Sequence, residues 1–242
     1  MYNNQRSVQI LERDYTIWNH QSWNKYNPVK RWLVWEWFLN WDATATVWTN
    51  WTATNITWVD WWAWYTKQSA SFNWTTSYIQ VADYNWIDLT TEYTMGAFLN
   101  MSALPTAWNL YAVIDKNAGW NWWEFELWNN WWTQVIFISH WNASATTTYQ
   151  INYTLPTNTD ILLSATYSWT TIKFWLNWLV IWTVTWVTRT CWVWTSVLEI
   201  WRSPSITARY FNWKIKLVRI FNIELTQKEI QLLYKEWLKL LH

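Results

Sequence analysis

The acids closest to a catalytic arrangement are Glu124 and Glu126, which flank Phe125. Residues i and i+2 of a strand share one face. Two carboxylates facing one cleft are what glycoside hydrolysis requires, one as acid and one as base or nucleophile. No third acid extends this pair, and two acids on a strand face are ordinarily solvated. The pair therefore reads as structural, and the sequence assigns no catalytic residue. His20, His140 and His242 are scattered without H-x-H or H-E-x-x-H spacing, so no zinc site is indicated. Cys191 is single and has no neighbouring His or acid; it reads as a packed thiol and excludes an internal disulfide.

The charge pattern removes further classes. A net charge of +1 carries no nucleic-acid footprint. No run of eighteen apolar residues is present, so a membrane-spanning helix is not expected. Residues 1–20 are polar and lack the charged-then-apolar order of a signal peptide.

The elements that must position any site read mainly as strands. Residues 1–30 are polar and irregular and are expected to form an N-terminal arm or linker, with 31–242 as one domain. Leu110 to Asp115, Glu124 to Leu127 and Gln134 to Ser139 are three short strands between Trp/Asn turns. Residues 59–64 read as a turn-rich loop, and 140–160 as a Thr/Ser/Asn-rich connection. Ile161 to Tyr167 and Thr171 to Leu176 form a hairpin, in which Ile172, Phe174 and Leu176 alternate with Lys173 and Trp175. Near the end, Ile215 to Phe221 is a β-branched and aromatic strand. Thr226 and Glu229 then form a capping box. Ile230, Leu233, Tyr234, Trp237, Leu238 and Leu241 follow at helical spacing, predicting a helix over 227–241. The order argues for an all-β sandwich of two antiparallel sheets with a short C-terminal helix.

One compositional fact runs against that reading. The chain has 32 Trp and 2 Gly, where average usage of roughly 7% would give about 17 glycines. Asn precedes Trp at 41, 51, 74, 86, 122, 131, 178 and 213. Asn-Gly is the strongest short hairpin signal, because both central residues of a type I′ turn need positive φ. Tryptophan in that conformation costs roughly 1–2 kcal/mol. Eight such turns would consume about as much as the whole stability of a domain, roughly 5–15 kcal/mol. An alternative genetic code explains the pattern: some bacteria and their phages read UGA as glycine, and a translation with UGA as Trp would write glycine as tryptophan. Gly96 and Gly119 would come from ordinary glycine codons. The competing reading is a Trp-rich protein with aromatic platforms for sugars or membrane interfaces. Even with Trp read as Gly, no G-x-x-x-x-G-K-[ST] phosphate loop appears.

Residues 210–234, from Tyr210-Phe-Asn-Trp-Lys-Ile-Lys-Leu-Val-Arg-Ile-Phe to Glu229-Ile-Gln-Leu-Leu-Tyr234, resemble the ending of laminin-G-like domains of the concanavalin A-like superfamily. That ending runs F-x-G-x-I-D-x-V-R-I-Y, then L-x-x-x-E-I-x-x-L-Y. Arg31 to Asp42 resembles the opening strand of such domains, with Trp32, Trp35 and Trp41 at glycine positions and Trp37 at an aromatic one. Ser69 to Val81 resembles "A-x-x-F-x-G-x-x-x-Y-v-x-v", which puts Phe72 and Ile79 in the core and Tyr78 and Gln80 on the other face. Phe98 stands where the family has a core tryptophan. Trp213 stands at a glycine and is read as a glycine in a tight turn. Lys216 replaces the family's aspartate.

The resemblance implies a jelly roll and a non-catalytic module that binds carbohydrate or a protein surface, at a cell surface or in a phage virion. A structural or assembly domain is the alternative, with homo-oligomerisation as a further expectation; a glycoside hydrolase is the least favoured reading. Several members of the superfamily bind calcium through loop oxygens, which suits a hard cation. That makes Asp83, Asp88, Asp115 and Asn121 the calcium candidates. The helix is expected to plug an edge or end of the sandwich.

Overall fold

The computed structural model describes residues 33–38, 51–54, 57–62, 65–73, 76–83, 89, 91–105, 110–117, 122–129, 134–142, 145–187, 196–200 and 213–241. The chain divides into two compact units, 1–33 and 34–242. Among the described residues the strands are β1 (Leu33–Phe38), β2 (Trp51–Thr54), β3 (Thr57–Trp62), β4 (Tyr65–Ser71), β5 (Tyr78–Val81), β6 (Glu92–Met101), β7 (Leu110–Asn117) and β8 (Trp122–Asn129). They continue with β9 (Gln134–Asn142), β10 (Ala145–Asn152), β11 (Asp160–Ser168), β12 (Thr171–Leu176), β13 (Leu179–Thr185), β14 (Leu198–Ile200) and β15 (Trp213–Phe221). One helix, α1 (Gln227–Leu241), follows.

Two sheets form. One runs β13-β12-β11-β6-β15-β4-β3, with β1 also pairing β15; the other runs β10-β9-β8-β7-β14-β5-β2. The registered pairs of both sheets are antiparallel. Strand alternation sends one face of each sheet into a shared core. Phe174, Ala165, Met95 and Ile220 line up across β12, β11, β6 and β15. Ile79, Ile200, Ile114, Phe125, Ile138 and Tyr149 line up across the other sheet. All ten belong to one buried cluster. Tyr93 and Tyr167, directly opposite each other on β6 and β11, bring their ring centroids to 5.2 Å. The all-β sandwich expected from the sequence is the observed fold, and Phe72 and Ile79 are buried as expected.

Several expectations are corrected. Residues 59–64 include most of strand β3, and 140–160 contain the whole of β10. In β10, Tyr149 and Ile151 alternate inward while Thr148, Gln150 and Asn152 are exposed. Its Thr/Asn composition conceals that period. Phe98 is buried, but its alternation with Ala97 and Leu99 turns it away from the inter-sheet core.

The helix lies on a sheet face, not on an edge or end. Its start is the capping box read from the sequence. The Thr226 amide donates to Glu229 Oε2 at 2.8 Å, and the Glu229 amide donates back to Thr226 Oγ1 at 3.4 Å. Thr226→Ala is expected to lower stability by about 1 kcal/mol, measured by urea unfolding. Ile230 and Leu233 are buried, and with Thr94, Gly96, Leu162, Ser164, Arg219 and Phe221 they line a small gap between the helix and the sheet. Arg219 Nη1 donates to Glu236 Oε2 of the helix at 3.1 Å, and the Leu225 amide donates to Thr94 Oγ1 at 2.9 Å. Leu238, expected on the apolar stripe, is 38% exposed.

Gly96 brings β6 close to β11 on that face. A Cβ there would meet Ser164 Cβ at 2.9 Å. Gly96→Ala is expected to cost on the order of 1 kcal/mol through overpacking. Thermal unfolding of the variant checks it.

Candidate functional site

The face of the β10–β2 sheet turned away from the core is polar. Register lines up Gln80, Glu199, Asp115, Glu124, Ser139 and Thr148 across β5, β14, β7, β8, β9 and β10. Gln80, Glu199, Asp115 and Thr148 each sit one residue from an apolar core position, so alternation puts them on the outward side. Glu126 lies two residues further along β8, one residue from the core position Phe125. The line draws three acids from separate strands, β14, β7 and β8. That convergence is a product of register and is not readable from any one strand.

The centre of this face is closed. Asp115, Glu126 and Glu199 are all 0% exposed. Gln80 Nε2 donates to Glu199 Oε1 at 2.9 Å, holding one carboxylate in place. The sequence reads Glu124 and Glu126 as solvated strand acids; Glu126 is instead buried. Because Glu126 is shut off from water, this conformation leaves no room for a glycosidic bond beside it.

The edge of the same face is open. Thr148, Gln150 and Asn152 of β10 are exposed, presenting two amides and a hydroxyl along an edge strand. Such groups donate and accept hydrogen bonds to sugar hydroxyls or peptide groups without any need to ionise. They carry no signal in the sequence, because the Thr, Gln and Asn of β10 read there as a connection.

Two of the four calcium candidates lie among the described residues. Asp83 accepts a hydrogen bond from Lys116 Nζ at 2.7 Å, and that lysine is 3% exposed. An ammonium ion therefore already occupies the Asp83 carboxylate. Asp115, a calcium candidate at the expected end of its strand, lies inside β7, on the opposite side of the strand from Lys116. Asp88 and Asn121 lie outside the described residues. Among the described residues no group of three or more His, Cys, Asp or Glu is arranged to hold a metal.

A second surface gathers at the β11–β12 turn. The Trp169 amide donates to Thr91 O at 3.3 Å and the Val187 amide to Thr170 O at 2.9 Å, drawing three segments together. Trp169 is 60% exposed and Trp186 84% exposed. Trp169 Nε1 donates to Glu92 Oε1 at 3.0 Å. Both tryptophans have positive φ, 42° at Trp169 and 64° at Trp186.

The Asn-Trp pairs behave less uniformly than the turn reading requires. Trp51, Trp122 and Trp213 each open a strand, opposite Val81, Asn117 and Met101. Trp213 is thus a strand residue and not the corner of a tight turn. At 177–178 only Asn177 has positive φ, 59°, so that turn is not type I′. Asn tolerates the left-handed region and Trp resists it. The Asn177 side chain also accepts from the Leu162 amide at 3.0 Å, tying the turn to β11. Trp41, Trp74, Trp86 and Trp131 lie outside the described residues.

No protein-family model and no curated protein matches this sequence. Solved structures do match. The binding domain of Paraclostridial Mosquitocidal Protein 1 superposes with a TM-score of 0.68 at 14% identity, over 86% of this chain and 53% of that one. The binding domain of botulinum neurotoxin DC, in complex with rat synaptotagmin II, gives 0.67 at 12% identity, over 86% and 52%. A botulinum neurotoxin type C structure, from a toxin whose cell entry depends upon interaction with two ganglioside molecules, gives 0.67 at 12%, over 86% and 52%. The chain spans about half the length of these structures. At such identities the likeness is one of fold, a β-sandwich of the kind used in binding domains.

Proposed function

We propose that this chain is a non-catalytic recognition module that binds carbohydrate or a protein surface through the polar outward face of the β10–β2 sheet. The observation that carries the reading is the open ladder of Thr148, Gln150 and Asn152 continuing a line of polar residues across that sheet. The closed centre supports binding over catalysis, because Glu126 cannot meet a substrate. Likeness in fold to receptor- and ganglioside-binding domains of toxins supports the same class. We place the module in the laminin-G-like family and at an extracellular or virion surface, on the sequence resemblance. The test is a glycan array with a parallel pull-down from host surface proteins. Thr148→Ala combined with Gln150→Ala is expected to weaken binding at least tenfold, equivalent to about 1.4 kcal/mol, while leaving the melting temperature in place. Equal binding by both proteins rules out the face as the binding surface. A failure of the parent chain to bind in either assay removes the reading.

An assembly role is the second reading, favoured by β13. This edge strand exposes Leu179 (51%) and Val180 (40%) and carries no charge to block edge-to-edge pairing. A symmetric oligomer in light scattering, together with silence in the binding assays, would establish it.

The genetic-code reading belongs with the function, because it decides which aromatics a ligand could meet. We propose that UGA-encoded glycines stand at the strained turn sites. The positive φ values of Trp169 and Trp186 support it, since glycine adopts that region at no steric cost and a bulky side chain is an outlier there. The exposed indole pair is then absent from the living protein, and no aromatic sugar platform forms at the β11–β12 turn.

A further inference from the structure

We infer that the tryptophans of this chain are of two kinds, and that Trp175 is a true tryptophan encoded by UGG. The inference rests on the glycine reading just given and divides it by residue. Trp169 and Trp186 combine positive φ with high exposure. Neither ring is buried, so replacing it with hydrogen removes little packing. Trp175 has the opposite environment. It is 2% exposed and heads the largest fully buried side chains. Its Nε1 donates to Thr166 Oγ1 at 3.2 Å, in a buried setting. A buried indole normally finds such a partner, and a glycine would leave the hydroxyl without it.

The neighbours are sized for the ring. Across β12, β11, β6 and β15 the outward residues beside Trp175 are Ser164, Gly96 and Arg219. Ser164 and Gly96 are small, and the same two form part of the seat of α1. Glycine at 175 would put three small residues in a row and strip about 150–250 Å² of buried aromatic surface from this face. Glycine inside a strand also weakens it, whereas Trp favours one. The bulge between β12 and β13 gives no reason for glycine either. Phe174 pairs with Trp182 and Trp175 with Val180, so the extra residue is Ile181 on β13. Trp175 stands next to Ser164 on the outward face and so borders the small residues beneath the helix.

The codons of the gene test this directly, with peptide mass spectrometry of the native protein as the second measurement. UGG at 175 with UGA at 169 and 186 is the expected result, and the native peptides would then carry Trp at 175 and Gly at the other two. UGA at 175 overturns the inference and leaves the genetic-code reading standing. UGG at all three overturns the genetic-code reading itself. UGG at only one of 169 and 186 overturns the assignment of that residue by conformation.

Discussion

Trp175→Ala is expected to lower stability by about 3–5 kcal/mol, the range for removing a large buried aromatic. The measurement is urea unfolding in the chain carrying glycine at 169 and 186. Two losses combine. The ring leaves a site that is 2% exposed, and Thr166 Oγ1 loses its indole donor. A loss below 1 kcal/mol would mean that the site collapses around the gap and that the ring is not holding the face. A Trp175→Phe variant separates the two losses: it restores most of the volume without the N–H and should recover more than half of the stability. A missing hydrogen bond at a buried site costs about 1–3 kcal/mol, so the lost ring volume outweighs the lost donor. Because α1 shares the Ser164–Gly96 floor, the Ala variant should also increase amide exchange at Ile230 and Leu233 before global unfolding. A variant weakened only at the β12–β13 edge would leave those amides protected.

The fold was legible where one strand carries its own period. In β12, Ile172 and Phe174 point inward and Lys173 and Trp175 outward, and the sequence shows it. In β10 the inward Tyr149 and Ile151 sit among Thr, Gln and Asn, so low hydrophobicity hid an equally regular alternation. The capping box was legible because its two hydrogen bonds join residues three apart. The seat of the helix was not, because it is built from β6, β11 and β15, and the small volumes of Gly96 and Ser164 gain meaning only when they become neighbours. The polar line of the candidate site failed to show for the same reason. Glu199, Asp115 and Glu124 come from three strands, and only register aligns them. Asp115 reads as the last residue of its strand, at a loop, because the end of β7 has no local marker; the strand extends to Asn117. Asn-Trp pairs do not by themselves mark strained turns. Three of them open strands, where φ is negative and tryptophan is at ease, while the two strained tryptophans follow Ser168 and Thr185 and fall outside the Asn-Trp pattern.

That redistribution sets the second large effect and gives it the opposite sign. Trp169→Gly and Trp186→Gly together are expected to raise stability by about 1 kcal/mol. Relief of the left-handed conformation contributes roughly 1–2 kcal/mol at each residue. Glycine returns about 0.5–1 kcal/mol of that through the extra freedom of the unfolded chain. Trp169 also gives up its bond to Glu92 Oε1, but that bond is exposed and its net worth is at the low end of the usual range of about 0.5–1.5 kcal/mol. Trp186, at 84% exposure, has almost no burial to lose, so its substitution should show the larger gain of the two. The midpoint of urea unfolding reads both effects, and light scattering should report less aggregation as two exposed indoles disappear from the β11–β12 turn. Asn177→Gly is the control: its φ of 59° is also positive, yet its side chain accepts from the Leu162 amide, so glycine there should give no gain. If all three substitutions stabilise equally, backbone conformation alone governs these turns. If Trp169→Gly and Trp186→Gly destabilise, the indoles are native contacts, and the case for glycine at these positions fails with them.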